Sequence, residues 1–383
     1  MLKSSYKSVL RIIAIASCLL TTFTEVPGQI TVAKWKGNKK AALSIGSDDG
    51  MVRSIKSSWT LDNPDVPYDG YFKLGRDYQI NITFFIDARQ IDDPTYVPFS
   101  SYIPIAQPPA SSGTWSDWKF IHDEGHEIAS HTYTHANFKS GEIPSISKIR
   151  YEIVQNNSRI EENVGEKPIS FNMPFTGAYR TIWPIVRDYY PIIANDVWKE
   201  KDHSYFDITE STQEGEMEAE LHIALKNGNW MTAVGHGIRT SLGKTEESSA
   251  DFAVRGFRWD GYSPIKYKVL DAFFHFAHSK KDSLFIGTFK DVGRYKIERD
   301  RSRITIVSDL ESELIINIFH NLKPSYIFTY PLALKIPVQE YNVDNVIQDG
   351  VYLAVTVDGG FYLVDVIPNG GNIIISLNKN NKL

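Results

Sequence analysis

The chain has little cysteine, no excess of positive charge and no long apolar run. Cys18 is its only cysteine among 383 residues, which excludes an internal disulfide and a site built from several thiolates. A net charge of -5 offers no basic surface for a phosphate backbone, so nucleic acid is excluded as an expected partner. The apolar run Ile12–Leu20 is shorter than the roughly 20 residues that a membrane-spanning helix needs. We therefore expect no membrane span.

What the chain does contain is the composition of a folded globular protein. Hydrophobic residues make up 42% of it and charged residues 23%, which is enough apolar mass for one large core and a smaller one. Disorder over a long stretch is excluded on the same grounds.

The first 28 residues have the features of an export signal. Three basic residues precede the run Ile12–Leu20, and Val26-Pro27-Gly28 places compact residues where a signal peptidase cleaves. The segment ending at Cys18 also resembles a bacterial lipoprotein box, but the apolar run continues past this residue, so we favour cleavage near Gly28 over lipidation. The expected location is the periplasm, the extracellular space or the cell surface of a bacterium.

Short apolar runs alternate with helical patterns over the first large region, which predicts a parallel α/β sheet or barrel. Ile146–Val164 has isoleucines at near-helical spacing and Gly165 as a stop signal, so it is predicted to be an amphipathic helix. The predicted strands are Ala41–Ile45, Ile80–Ile86, Glu127–Ser130, Ile169–Asn172, Ile192–Asn195, Met231–Gly235 and, after a helix at Tyr267–Ala277, Leu284–Thr288.

The pattern changes near Arg303. Short alternating runs, among them Leu314–Phe319, Tyr352–Val357 and Ile373–Leu377, are separated by Asp-Gly and Gly-Gly turns. This pattern predicts a small all-β, sandwich-like domain. Its residues leave open whether the domain binds glycan or only packs against the barrel.

Three acidic or histidine motifs follow one another in the first region. Asp48-Asp49-Gly50 closes a buried strand, His131 and His135 are four positions apart, and His236 follows the run Met231–Gly235. One carboxylate with two imidazoles suits a divalent metal, while a second carboxylate and a third histidine can move protons. These residues indicate a metal-dependent hydrolase.

Four blocks in order give the chain its resemblance to a known family. Ser47–Gly50, Ile82–Ile86, Gly125–His135 and Phe171–Phe175 resemble the motifs of the polysaccharide deacetylases, the metal-dependent esterases that include chitin, peptidoglycan N-acetylglucosamine and acetylxylan deacetylases. The segment Ile160–Pro168 before the last block resembles the family's helix. The resemblance covers approximately residues 38 to 290. It implies a distorted (β/α) barrel, so the predicted division is a signal peptide at 1–28, the barrel at 29–295 and a β-sandwich-like accessory domain at 296–383.

The resemblance also implies a metal centre. Asp49, His131 and His135 would bind one divalent ion, with zinc expected and cobalt or nickel as alternatives. Asp48 would remain uncoordinated and act as the general base. An ion beside both carboxylates stabilises them as anions, which makes this split of roles between neighbours plausible.

Further site residues follow from the same family pattern. The backbone N–H of Phe175 would bind the developing oxyanion, and His236 would be the general acid, with a structural histidine as its alternative. Asp196, near Trp198, would support His236.

One departure bears on the base. The family's third motif usually opens with an arginine that orients the base carboxylate, and this chain has Asn172 there. Arg180 in the same loop is a candidate substitute, although an exposed arginine is the ordinary interpretation.

The expected activity is removal of N- or O-linked acetyl groups from an extracytoplasmic oligo- or polysaccharide. The alternatives are a catalytically impaired carbohydrate-binding protein on the same barrel and a related metal-dependent amidase that acts on a non-sugar C–N bond. The sequence leaves the glycan, the metal and the oligomeric state open.

Overall fold

A computed structural model describes residues 29–50, 70–93, 96, 113–139, 143–176, 178–194, 202–239, 263 and 265–378 of the chain. Its strands are β1 (Thr31–Val32), β2 (Ala41–Ser47), β3 (Thr83–Ile86), β4 (Glu127–Ser130), β5 (Ser170–Phe171), β6 (Ile192–Ile193), β7 (His203–Asp207), β8 (Trp230–Gly235), β9 (Ile238–Arg239), β10 (Ile265–Lys266), β11 (Leu284–Ile286), β12 (Arg303–Leu310), β13 (Glu313–Phe319), β14 (Leu332–Pro337), β15 (Val343–Gln348), β16 (Val351–Tyr352), β17 (Val355–Asp358), β18 (Phe361–Val366) and β19 (Asn372–Leu377). Its α-helices are α1 (Gly70–Tyr78), α2 (Arg89–Asp92), α3 (Trp115–Asp123), α4 (Ile146–Val164), α5 (Trp183–Arg187), α6 (Glu216–Asn227), α7 (Tyr267–Ser279) and α8 (Phe289–Arg301).

The larger unit is a parallel sheet with helices packed around it. Its strand order is β6-β5-β4-β3-β2-β8-β7, and β11 also pairs with β2. One edge of β2 pairs with β8, while its other edge pairs with β11 over the first residues and with β3 at Gly46 and Ser47. Two strands, β11 and β3, thus share one edge of β2, which departs from the regular strand order of a (β/α) barrel. The expected distorted (β/α) barrel followed by an all-β region is confirmed.

The local sequence explains these elements. All seven residues of β2 are buried, as a parallel strand covered on both faces requires. Helix α4 begins after Ser145, whose hydroxyl accepts a hydrogen bond from the Lys148 amide, and ends at Gly165 with a φ of 96°. The predicted bounds of this helix match the structure.

Two predicted strands differ from the observed ones. The strand expected from Ile80 starts at Thr83, because the Ile80 amide donates to the carbonyl of Gly75 and the Ile82 amide donates to His126 Nδ1. The run predicted at Tyr352–Val357 is divided between β16 and β17. The chain crosses there from one sheet of the β unit to the other.

The C-terminal unit packs two antiparallel sheets together. One has the order β12-β13-β19-β15-β16 and the other β1-β14-β18-β17. Alternate residues of β13, β14 and β19 share a single buried cluster with Phe85, Trp230 and Phe289 of the barrel. The sandwich and the barrel are therefore joined by a common core.

The beginning of the described chain belongs to the sandwich. Strand β1 pairs antiparallel with β14, and the Tyr295 hydroxyl donates to the carbonyl of Ala33 at 2.8 Å. Helix α8 runs continuously across position 295, where the sequence placed the domain boundary, and the all-β region starts at β12. Within the described residues, no helix has the length and apolar character needed to span a bilayer.

A buried carboxylate fastens α8 to the sandwich. Glu298 is fully buried and accepts hydrogen bonds from the Tyr330 amide, at 3.0 Å to each oxygen. His320 Nδ1 faces two donors, the Leu322 amide and the Asn369 side chain, so Nε2 carries the hydrogen and donates to Glu298 at 3.4 Å. Burial raises the pKa of Glu298 to about 7, against the opposing effects of the Tyr330 amide and the Arg294 charge.

This raised pKa predicts a pH-dependent stability. A carboxyl group with a higher pKa in the folded state than its ordinary 4.5 stabilises the fold when protonated, and that contribution is lost as the pH rises from about 4.5 to about 7. We expect Glu298→Gln to remove this dependence. Between pH 5 and pH 8 the stability of the variant relative to wild type should rise by on the order of 1–2 kcal/mol in urea unfolding. Glu340→Gln, at an exposed position, is the control, and an equal difference at both pH values would contradict the prediction.

Candidate metal centre

Polar residues follow the carboxyl ends of four strands of the parallel sheet. Asp48 follows β2, His131 follows β4, Asn172 follows β5 and His236 follows β8, each at the first position after the strand. Since these strands are parallel, their carboxyl ends lie at the same edge of the sheet. The structure therefore brings residues that are far apart in sequence to one mouth of the barrel.

The three predicted metal ligands converge. The nearest ligand atoms of Asp49, His131 and His135 all lie within 4.8 Å of one another, and all three residues are buried. Asp49 Oδ1 is 3.5 Å from His131 Nε2 and 3.1 Å from His135 Nε2. Two imidazole nitrogens and one carboxylate oxygen are a donor set that fits zinc or a similar divalent ion.

The orientation of His131 is fixed from behind. Its Nδ1–H donates to the backbone carbonyl of Asn172 at 2.8 Å, which leaves the Nε2 lone pair directed at the side where Asp49 lies. The His135 ring packs between the ring of His131, at 4.9 Å, and the edge of Phe175, at 4.8 Å between centroids.

The charges of the centre favour an ionised aspartate. Burial alone would raise the pKa of Asp49, but the imidazoles of His236, His131 and His135 outweigh it and hold that pKa well below its usual value. Burial lowers the pKa of His135, which favours the neutral ring that a metal ligand requires. The pKa of His131 is raised, because the carboxylates of Asp48 and Asp49 outweigh its burial.

The predicted base is held by an amide. Asn172 Nδ2 donates to both oxygens of Asp48, at 2.9 and 2.8 Å, and Asp48 is 6% exposed. Arg180, the substitute considered from the sequence, is exposed. Asn172 therefore occupies the orienting position itself. On the other side, His236 Nε2 lies 4.0 Å from Asp48 Oδ2, and its side chain is 20% exposed, so it reaches solvent at the mouth.

Asp196 and Trp198 lie outside the described residues. A different carboxylate, Asp207, ends β7 beside β8, and sequence reasoning missed it. Burial and the charge of Asp48 raise the pKa of Asp207, while His236 lowers it, so the three groups interact. Its place at the end of the aromatic run Tyr205-Phe206 is the signal that would have revealed it, because strand ends supply the other site residues.

Several site residues have left-handed backbone conformations. The φ angles are 72° at Asp49, 66° at Thr132, 53° at His135 and 58° at Phe175. Such angles are uncommon for residues other than glycine, and they concentrate at functional sites where the surroundings enforce them. Gln90 contributes at Asp49, because its side-chain amide donates to the Asp49 carbonyl and to the Asp87 carboxylate.

Comparisons with known proteins bear on the family. Residues 56–190, which include both histidines and Asn172, match the family model for polysaccharide deacetylase. A gellan lyase from a Bacillus species is 21% identical over 369 residues, which is 91% of this chain and 13% of that protein. The chain thus spans about an eighth of the length of this relative.

Solved structures also resemble the chain. A Mycobacterium smegmatis protein assigned to the polysaccharide deacetylases has 12% identity and a TM-score of 0.44, and the match covers 70% of this chain and 94% of that one. A family 4 acetyl xylan esterase from Clostridium thermocellum, solved with a cobalt ion, has 15% identity and a TM-score of 0.31 over 64% and 98% of the two chains. The family-model match covers residues 56–190, so this part of the chain is similar to the polysaccharide deacetylases.

Proposed function

We propose that this protein is a divalent-metal-dependent hydrolase that removes N- or O-linked acetyl groups from a carbohydrate outside the cytoplasm. The observation that supports it most is the convergence of Asp49, His131 and His135 beside the Asp48 carboxylate. The export signal predicted at residues 1–28 supports the location.

The donor set fits the metal that the family implies. Asp49, His131 and His135 would hold it, and with three protein ligands one position remains for water or substrate. When bound, such an ion supplies a Lewis acid and lowers the pKa of bound water toward ~7. The hydrogen bond from His131 to the Asn172 carbonyl keeps that imidazole in the tautomer that the site needs.

Proton transfer is assigned to the two groups that flank the metal ligands. Asp48, held by the Asn172 amide, takes the proton of the attacking water at a carboxylate oxygen. His236, 4.0 Å away and partly exposed, returns a proton to the departing nitrogen or oxygen of the sugar. Asp207, exposed at the end of β7, is close enough to His236 to interact with it electrostatically. The hydroxyl of the family's usual tyrosine is absent at Phe175, but a backbone N–H oxyanion donor does not need it.

The binding-only alternative rests on the loss of the family's arginine and on a poorly matched fourth motif at Asp196 and Trp198, which lie outside the described residues. The contacts of Asn172 weaken it, because the amide orients Asp48 with two hydrogen bonds. An amide brings no positive charge, however, so the electrostatic part of the arginine's effect is lost. We therefore favour a working enzyme over an inactive binding protein. The amidase alternative has no specific support in the structure.

Metal content gives the first test of the proposed function. Purified protein should hold about one zinc, cobalt or nickel ion per chain at micromolar metal, as measured by mass spectrometry after gel filtration. His131→Ala should lower the affinity at least 100-fold and abolish acetate release from a panel of acetylated glycans, because it removes one of three ligands. His222→Ala, on the exposed face of α6, is the matched control. Wild-type protein without metal, or a His131→Ala variant that keeps it, would refute the mechanism.

The second prediction separates the base from its support. Asp48→Asn should lower kcat by about 10²- to 10⁴-fold with metal content unchanged, since it removes the general base. Asn172→Ala keeps the backbone carbonyl that His131 needs and removes only the amide. We expect kcat to fall about 10-fold while KM and metal content stay near wild type. An active Asp48→Asn variant would eliminate this assignment of the base, and wild-type protein that binds glycans without releasing acetate would favour the binding-only alternative.

A further inference from the structure

The segment from His131 to Ala136 carries two of the three proposed metal ligands without being a helix. Thr132 and His135 both have positive φ angles, at 66° and 53°. These conformations cost free energy, and they persist only where neighbouring groups enforce them. The placement of His135 therefore depends on contacts from outside the segment.

Hydrogen bonds hold the backbone of this segment at Tyr133, Thr134 and Ala136. The Tyr133 amide donates to the Glu152 carbonyl at 3.1 Å, and the Tyr133 carbonyl accepts from the Arg89 amide at 3.0 Å. The Tyr96 hydroxyl donates to the Thr134 carbonyl at 3.0 Å. The Ala136 amide donates to the Thr132 hydroxyl at 2.9 Å, within the segment.

The side chain of Glu152, on α4, makes two further hydrogen bonds to this segment. Its Oε2 accepts from the Thr134 amide at 2.8 Å and its Oε1 accepts from the Thr134 hydroxyl at 2.7 Å. Glu152 is 2% exposed, so these bonds are shielded from water, and bonds to a charged acceptor are stronger than neutral ones. Both oxygens thus hold the residue directly before His135.

The helix that carries Glu152 is itself fixed to the strands around the site. Four positions on, the side chain of Asn156 accepts from the Ala88 amide and donates to the Ile86 carbonyl and the Ser130 hydroxyl, at 2.8 to 2.9 Å. The buried face of α4 therefore connects the ends of β3 and β4 to the histidine segment. A displacement of Glu152 would be transmitted to His135.

We propose that Glu152 is a positioning residue of the metal centre. Its carboxylate holds Thr134 so that the His135 imidazole already faces Asp49 before an ion binds, and metal affinity depends on this contact. Its side-chain hydrogen bonds go to Thr134, and its carbonyl accepts from Tyr133. The inference rests on the proposed function, because it requires that Asp49, His131 and His135 bind a metal.

The test compares two substitutions of one residue. Glu152→Leu removes both acceptors and should weaken zinc binding about 10- to 100-fold, the usual effect of losing a group that orients a metal ligand. Glu152→Gln keeps an oxygen for the Thr134 amide, and its NH2 group can donate to the Thr134 hydroxyl, so zinc affinity should return to within about threefold of wild type. Zinc affinity is measured by competition with a chromogenic chelator, independently of activity.

The control is Asn157→Leu on the same helix. Asn157 is buried and accepts from the Tyr190 hydroxyl at 2.7 Å, without a hydrogen bond to the histidine segment in the described structure. It should lower the unfolding temperature to an extent similar to Glu152→Leu and leave zinc affinity unchanged. Wild-type zinc affinity in folded Glu152→Leu protein, or an equal loss in Asn157→Leu, would overturn the proposal.

A further variant covers the case in which Glu152→Leu does not fold. Thr134→Val is isosteric and removes only the hydroxyl bond, so zinc affinity should fall about tenfold, which is more than in Glu152→Gln. An unchanged affinity in this variant would then overturn the inference. Failure of the proposed function is distinguishable, because it would appear as wild-type protein that binds no zinc.

Discussion

The contact of one buried carboxylate with two imidazoles determines the rest of the site. Asp49 can remain ionised at 1% exposure only because His131, His135 and His236 surround it, since burial alone would drive it to the neutral form. Asp49 follows β2, His131 and His135 both follow β4, and His236 follows β8. The parallel sheet serves the site by ending its strands at one common edge, where these residues meet.

Asn172 links the two chemical functions proposed for the site. Its carbonyl receives the Nδ1–H of His131, and its side-chain amide holds Asp48. One residue after β5 thus orients both a metal ligand and the base. An arginine could hold the base more strongly, because it adds charge to hydrogen bonding, but the carbonyl contact is available to any residue at this position.

The sequence predicted the features that depend on local periodicity and on motif. The bounds of α4, the sheet of parallel strands and the start of the all-β region could be read from apolar spacing and turn residues. The motifs alone predicted that Asp49, His131 and His135 share one metal site. Contacts between distant segments were not predictable in this way.

Three of those contacts illustrate the reason. Nothing in the spacing of residues indicates that Asn172 reaches Asp48, that Glu152 holds Thr134 or that Asp207 lies near His236. Each contact depends on the orientation of a strand end or a helix face. That orientation is determined by the packing of the whole barrel. Asp207 belongs to none of the sequence motifs, and Asp196, the carboxylate expected from the motif, lies outside the described residues.

The pairing of β1 with β14 joins the beginning of the described chain to its C-terminal unit. About 300 residues, which include the barrel and strands β12 and β13, lie between β1 and β14, so this pairing cannot form until residues 332–337 have been synthesised. Deleting the sandwich would also expose the apolar faces of Trp35 and Phe289, which lie in the shared core. The barrel and the sandwich should consequently unfold together.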